Sequence, residues 1–314
     1  MSHYLVTGGA GFIGSHLVEE LVRRGEQVRV VDSLVTGKRE NLAHVRSVEF
    51  IEGDLADLEV ARRAVKGVDF VLHQAAIPSV PRSVEEPIAS NRANVDASLA
   101  LLVAARDEGV RRVVYAGSSS AYGNAPSLPK VETMAAAPVS PYALQKLVAE
   151  QYCQMFTSLY GLETVTIRYF NVFGPRQDPS SAYSGVISLF ISALCEGRRP
   201  TIYGDGEQTR DFTYVANIVD GVLRACEARS ASGEVINVAT GTRVSLNRLF
   251  QAIRTLVGST IEPQFAAARA GDVRDSQADI EKARRLLEYE PRTGFEAGLE
   301  RTIAWYRTAH GATK

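Results

Sequence analysis

Short β-branched runs alternate with helical segments through the first half of the chain, and no other feature constrains the fold as tightly. His3-Thr7, Gln27-Val31, Ser47-Ile51, Phe70-Leu72, Arg112-Ala116 and Glu163-Arg168 read as strands. Runs such as Val28, Val30, Val31 and Val113, Val114, Tyr115 are continuous rather than alternating. That is the pattern of parallel strands covered on both faces. Segments 12–24, 58–65, 95–108 and 142–159 read as the intervening helices. The series predicts an α/β fold with a doubly wound, Rossmann-type parallel sheet.

After Asn171 the texture changes. Segment 174–183 is rich in Pro, Gly and Ser and reads as a loop. Helix 184–196, strand Thr201-Tyr203, loop 204–211, helix 215–228, strand Glu234-Asn237, helix 245–257, strand 261–265, helix 279–287 and helix 295–306 follow. Ser245 is placed to cap the helix it precedes. The expected division is 1–170 plus about 213–240 as one domain, and 171–212 plus about 241–314 as a smaller, discontinuous α/β domain.

Charge and cysteine usage exclude several classes. Lys plus Arg total 35 and Asp plus Glu total 36 in 314 residues, so the basic footprint of a nucleic-acid binder is missing. Cys153, Cys195 and Cys226 form no CxxC pair, the five histidines are scattered, and no metal site is expected. No apolar run reaches the roughly 18 residues of a membrane span. The start lacks the pattern of a secretory leader, which predicts a cytoplasmic protein.

Gly8, Gly11 and Gly14, with Phe12 and Ile13 between them, lie where the first strand turns into the first helix. This arrangement suits a dinucleotide pyrophosphate held at a helix N-terminus. Asp32 ends the next strand, where an acid accepts ribose hydroxyls and repels a 2'-phosphate, so NAD is expected rather than NADP. Asp54, followed by Leu55, is a candidate for the adenine amino group or a helix cap. Ala75 and Ala76 end the fourth strand and allow close cofactor passage. Asn94 either supports the loop beneath the cofactor or stabilises its own helix.

Tyr142 and Lys146 share one helix face. A phenol titrates near 10 and is a poor base at neutral pH. A neighbouring lysine and a positively charged nicotinamide ring would favour the phenolate. Ser118, Ser119 and Ser120 end the fifth strand near the same point, and one hydroxyl is expected to share the proton.

The segments TGGAGFIGSH, SPYALQK, RYFNVFGPRQ, YGDGEQTRDFTYV and GDVRDSQAD together resemble the extended short-chain dehydrogenase/reductases, in the NAD-dependent epimerase/dehydratase group, and are most similar to UDP-sugar 4-epimerases. The resemblance implies tightly bound NAD in the first domain and a UDP-sugar in the second. It makes Tyr142, Lys146 and Ser118 catalytic, with Ser119 and Ser120 as alternatives to Ser118. It adds Tyr169 to the cofactor site, and Ser79, Asn171, Tyr203, Arg210, Arg269, Asp272 and Ser276 to the substrate site. It also implies a homodimer through a four-helix bundle of helices 95–108 and 142–159, using Leu99, Leu102, Val103, Leu147, Val148 and Phe156.

Dehydratases and decarboxylases of the group place acids where this chain has serines at 118–120, so a 4-epimerase is expected. Ser276 stands where sugar-restricted relatives carry a bulky Tyr. A small residue there implies room for a 2-acetamido group, hence UDP-N-acetylglucosamine and UDP-N-acetylgalactosamine, and also UDP-glucose and UDP-galactose. The alternatives are epimerases of UDP-glucuronate or UDP-N-acetylglucosaminuronate, and a UDP-glucuronate decarboxylase. Arg82, in the loop Ser79-Ser83, either meets a sugar carboxylate or is solvated.

Overall fold

The structure, a computed structural model, describes residues 1–179, 185–268 and 273–311. In chain order the elements are β1 (His3–Thr7), α1 (Phe12–Arg23), β2 (Gln27–Asp32), β3 (Glu49–Glu52), α2 (Leu58–Val65) and β4 (Phe70–His73). Then come α3 (Val80–Glu85), α4 (Pro87–Asn91), α5 (Ala97–Glu108), β5 (Arg112–Ser118), α6 (Pro141–Tyr160) and β6 (Glu163–Tyr169). The remainder is β7 (Asn171–Phe173), α7 (Val186–Cys195), β8 (Thr201–Tyr203), β9 (Thr209–Arg210), β10 (Phe212–Tyr214), α8 (Val215–Glu227), β11 (Val235–Val238), β12 (Val244–Ser245), α9 (Leu246–Val257), β13 (Gln264–Ala266), α10 (Glu281–Leu287) and α11 (Phe295–Ala309).

Seven strands form one parallel sheet in the order β11-β6-β5-β4-β1-β2-β3. The chain runs outward from β1 to β3, then restarts at β4 on the other side. That reversal opens a crevice at the carboxyl ends of β1 and β4, where ligands bind in such sheets. The sheet is covered on both faces. Leu17, Val18 and Leu21 of α1 pack with Val6, Val30 and Ile218 on one side, and Leu101 and Leu102 of α5 pack with Leu5, Val71 and Val113 on the other. Each such side chain contributes about 1.5–3 kcal/mol by leaving water. A third apolar cluster gathers Phe173, Phe190, Phe212, Phe250 and Leu299 from the later elements.

Three expectations need correction. Residues Ser79–Ser83 are not an open loop. Ser79 caps α3 by accepting a hydrogen bond from the Arg82 N–H, and Pro81 sits in the first turn, where its missing N–H costs nothing. The helix expected over 95–108 is preceded by α4 and by a π-helical turn, Arg92–Asp96. The loop 204–211 contains β9, which pairs antiparallel with β12.

Candidate active site

One cleft of about 1780 Å³ runs along the carboxyl edge of the sheet. The glycine turn floors it. Gly8 has φ +63°, and a Cβ there would stand 2.8 Å from the Ala75 backbone; a Cβ on Gly14 would stand 2.2 Å from the Gly8 carbonyl oxygen. The turn therefore closes only with glycine at both points. Gly11 begins α1 with no side-chain cap and no acid in the first turn, which leaves N–H groups of Phe12 and Ile13 for an anion. Gly8, Gly11, Phe12, Ile13, Gly14, Asp32, Asp54, Leu55, Ala75, Ala76, Lys146 and Tyr169 all line this cleft.

The Asp32 carboxylate accepts hydrogen bonds from the Ala10 N–H (3.0 Å) and the Leu34 N–H (2.8 Å). These contacts fix its orientation toward the cleft. The basic side chains just beyond β2 are committed, Lys38 to Asp178 and Arg39 to Glu52. This end of the cleft therefore fits a ribose diol, and the described basic side chains just beyond β2 are already paired with acids rather than set aside for a 2'-phosphate, which agrees with NAD. Asp54 accepts from the Ala56 N–H, while the cap of α2 is Asp57. Tyr169 donates its hydroxyl to Gln74 at 2.9 Å.

Asn94 is the exception among the expected cofactor residues. It does not line the cleft. Its oxygen accepts from the Ile77 N–H (2.8 Å) and its amide donates to Gln145 (2.9 Å), so it supports the 75–78 segment from behind.

His73, missed at the sequence level, does similar work. The Ser98 hydroxyl donates to the Asn94 carbonyl at 2.6 Å, so it accepts from His73 Nε2 at 2.9 Å. That tautomer leaves Nδ1 to accept from the Thr7 hydroxyl at 2.8 Å, and Thr7 Oγ1 in turn accepts from the Gln74 and Ala75 N–H groups. Burial, then the Lys146 charge, lowers the His73 pKa to about 3. An unfolded chain takes up this proton near 6.5, so stability is lost as pH falls from about 6.5 to about 3. His73→Asn is expected to flatten the acid limb of a stability-against-pH curve by about one proton in that window. An unchanged slope would show that His73 does not carry it.

At the other end, Ser140 caps α6 and the Ser83 hydroxyl accepts from the Tyr142 N–H at 3.0 Å, which sets the register of the helix. Burial pushes the Tyr142 phenol up to about 12, and the Ser118 hydroxyl beside it pulls the other way. Ser118 and Ser120 share a hydrogen bond of 2.8 Å. Lys146 lies on the same helix as Tyr142, four residues on, as the spacing requires. Its ammonium donates to the Ala116 carbonyl at 2.9 Å and lies over the Tyr115 ring, and burial lowers it to about 8. Helical spacing sets a shared face but not the direction of a four-carbon stem.

Ser79, Ser118, Ser119, Ser120, Tyr142, Asn171, Arg210 and Ser276 line the same cleft. Ser276 is tied to β9 through its N–H to the Thr209 carbonyl (3.1 Å), beside Arg210. Tyr203, at the end of β8, lies outside the cleft lining. Arg269 and Asp272 lie outside the described residues. Among the described lining residues the acids are Asp32, Asp54 and Asp178. None of them lies on the elements that carry Tyr142 or the serines. A further residue without a sequence signal of its own is Asp211, whose buried carboxylate gathers donors from two distant segments, 240–241 and 278.

Residues 4–239 match the NAD dependent epimerase/dehydratase family. The chain is 39% identical over 308 residues to a UDP-glucose 4-epimerase of Mycolicibacterium smegmatis, covering 96% of this chain and 98% of that one. It superposes with TM-score 0.94 and 41% identity on a UDP-N-acetylglucosamine 4-epimerase from Methanobrevibacter ruminantium in complex with UDP-N-acetylmuramic acid, covering 98% and 99%. With TM-score 0.90 and 37% identity it matches the Thermus thermophilus UDP-glucose 4-epimerase in complex with NAD, again over 98% and 99%. Together with the glycine turn, the crevice and the Tyr142 helix, these likenesses lead to one conclusion: the chain belongs to the NAD-dependent epimerase/dehydratase family, as an NAD-dependent enzyme of its UDP-sugar epimerase branch.

Proposed function

We propose that the protein is a UDP-sugar 4-epimerase that interconverts UDP-N-acetylglucosamine and UDP-N-acetylgalactosamine, and also UDP-glucose and UDP-galactose. The observation that carries the reading is the pairing of Tyr142 with Ser118 in a cleft whose described acids all lie toward the cofactor end. Elimination and decarboxylation by the group use acids that this chain replaces with serines. Epimerisation needs a proton carrier, a grip on the nucleotide and room for the sugar to turn.

NAD, which the glycine turn of Gly8, Gly11 and Gly14 and the Asp32 carboxylate would hold, would supply a reversible hydride acceptor and a positive ring that favours the phenolate. Tyr142 takes the proton from the 4-hydroxyl and later gives it back, with Ser118 sharing it. Lys146 fixes its amine on Ala116 and from there orients the nicotinamide ribose. Arg210 grips the diphosphate, joined by Arg269, while Asp272 holds the uridine ribose. The same reading assigns 1–170 plus about 213–240 to the cofactor lobe, supported by β11 completing the sheet, and the rest to the substrate lobe.

Ser276→Tyr tests the substrate assignment. It does not cap α10, which starts after Ile280, and it lines the cleft. A phenol there overlaps an acetamido group more than a hydroxyl. Overpacking of about 1–3 kcal/mol would lower kcat/KM for the N-acetylated pair roughly 5- to 150-fold relative to the glucose pair. Equal loss for both pairs would refute the steric argument.

A homodimer is part of the proposal. Leu102 and Phe156, expected on its surface, are buried within the chain. The outward stripe of α6 is instead Leu144, Val148, Met155 and Leu159, with Leu144, Met155 and Leu159 about half exposed or more. Light scattering at micromolar concentration is expected to give twice the 34.1 kDa chain mass. A monomer mass would overturn it.

A further inference from the structure

Segment 174–183 reads as a loop from its composition. Its described part, 174–179, is fastened at more points than a connector needs. A Cβ on Gly174 would stand 2.6 Å from the Val215 side chain and 3.6 Å from the Phe12 ring, so the segment starts against α1. Arg176 then takes φ +67°, a left-handed conformation that residues other than glycine rarely adopt. Such backbone persists where its surroundings over-determine it. Here the surroundings are specific. The Arg176 side chain is 10% exposed and donates to Glu19 at 2.7 Å and to His16 Nδ1 at 2.6 Å, both on α1, and to His44 Nε2 at 3.1 Å. His16 Nε2 donates in turn to the Pro175 carbonyl at 2.9 Å. Burial, then the Arg176 charge, lowers the His16 pKa to about 4, so the neutral ring accepts at one nitrogen and donates at the other.

Two residues further on, Asp178 pairs with Lys38 at 2.6 Å. Lys38 belongs to a segment that is itself fastened to the glycine turn. Its N–H and the Asn41 side-chain amide both donate to the Ala10 carbonyl, at 2.9 and 2.8 Å. Residues 175–178 are therefore tied twice: to α1, which leaves the glycine turn, and to the Lys38 segment, which bonds back to that turn. Lys38, Asn41, Arg176, Gln177 and Asp178 line the same cleft as Gly11 and Phe12, whereas His16 and Glu19 lie outside its lining. The two ties differ in strength. Arg176 makes charge-assisted bonds largely out of water, while the Lys38–Asp178 pair is about half exposed and screened by salt.

We propose that residues 175–178 are a strap at the pyrophosphate end of the cleft, and that Arg176 and Asp178 are positioning residues whose ties to α1 and to Lys38 must open before NAD leaves. The proposal concerns the lifetime of the bound cofactor and is independent of which sugar is the substrate. Release of a dinucleotide from the glycine turn would wait on local opening of the strap. The sign of a charge change separates this from a direct electrostatic effect. Glu19 and Asp178 are acids near a site for a doubly negative pyrophosphate. If they acted on it only through their charge, neutralising either would slow NAD release. If they hold the strap, neutralising either speeds it.

The test compares native enzyme, Glu19→Gln, Asp178→Asn and the double variant. Each is loaded with isotope-labelled NAD and chased with excess unlabelled NAD, and the label retained by the protein is counted after gel filtration. No turnover is involved, and thermal melting checks folding. Each single variant is expected to release NAD roughly 2- to 5-fold faster, the upper range of a partly exposed ion pair. The double variant is expected to multiply the two effects, to roughly 4- to 25-fold, because the ties lie on one strap and share no partner. Slower release in the single variants would assign both acids to direct electrostatics and overturn the proposal. Native release rates with a lowered melting temperature would overturn it too, since the contacts would then serve stability alone. If no UDP-sugar is turned over, the 4-epimerase reading fails, while the exchange rates still decide the role of the strap.

Discussion

Tyr142→Phe is expected to lower kcat about 10²- to 10⁴-fold while NAD content and UDP-sugar binding stay near native. The substitution keeps the ring that packs in the cleft and removes only the hydroxyl beside Ser118. The Ser83 contact to the residue 142 N–H and the Ser140 cap involve backbone groups and survive the change. The loss should therefore fall on kcat rather than KM. Turnover at saturating substrate, together with NAD released on denaturation, checks this. Activity close to native would show that another group carries the proton.

Asp211→Ala should cost about 3–5 kcal/mol of stability, the largest expected effect away from the chemistry. Asp211 is fully buried. Its carboxylate accepts from the Thr240 N–H (3.0 Å), the Thr240 hydroxyl (2.6 Å), the Gly241 N–H (3.0 Å) and the Ala278 N–H (3.2 Å). Burial raises its pKa, and these donors work against that shift. Alanine leaves the buried Ala278 N–H and the part-buried Thr240 and Gly241 N–H groups without this acceptor, each costing about 1–3 kcal/mol if nothing replaces it, while the Thr240 hydroxyl keeps its contact to Thr242. The same residue joins the segment of Arg210 to the segment of Ser276, so UDP-sugar affinity should fall with stability. Denaturant titration measures the first effect and calorimetry with UDP the second. A loss under about 1 kcal/mol would mean that the donors find other partners.

The sequence by itself determined the sheet, the glycine turn and the helix face of Tyr142 and Lys146. Each of these is a local property. Buried parallel strands read as continuous β-branched runs, a strand-to-helix turn that closes on itself admits only glycine, and a spacing of four fixes a face. The edges of the strands then lead directly to the cleft. Tertiary structure decided what depends on partners far along the chain. The α3 helix was hidden by its proline and short length, and its role in holding Tyr142 rests on Ser83, remote in sequence. Leu102 and Phe156 sit on helices with apolar residues on two sides, and only packing selects which side meets the sheet. The Lys146 ammonium met the Ala116 carbonyl, and Tyr203 fell outside the cleft lining, because both outcomes depend on segments remote in sequence. Asp211 carries no motif of its own. Its meaning comes from the donors gathered around it, which arise only when the segments around residues 211, 240 and 278 meet in space.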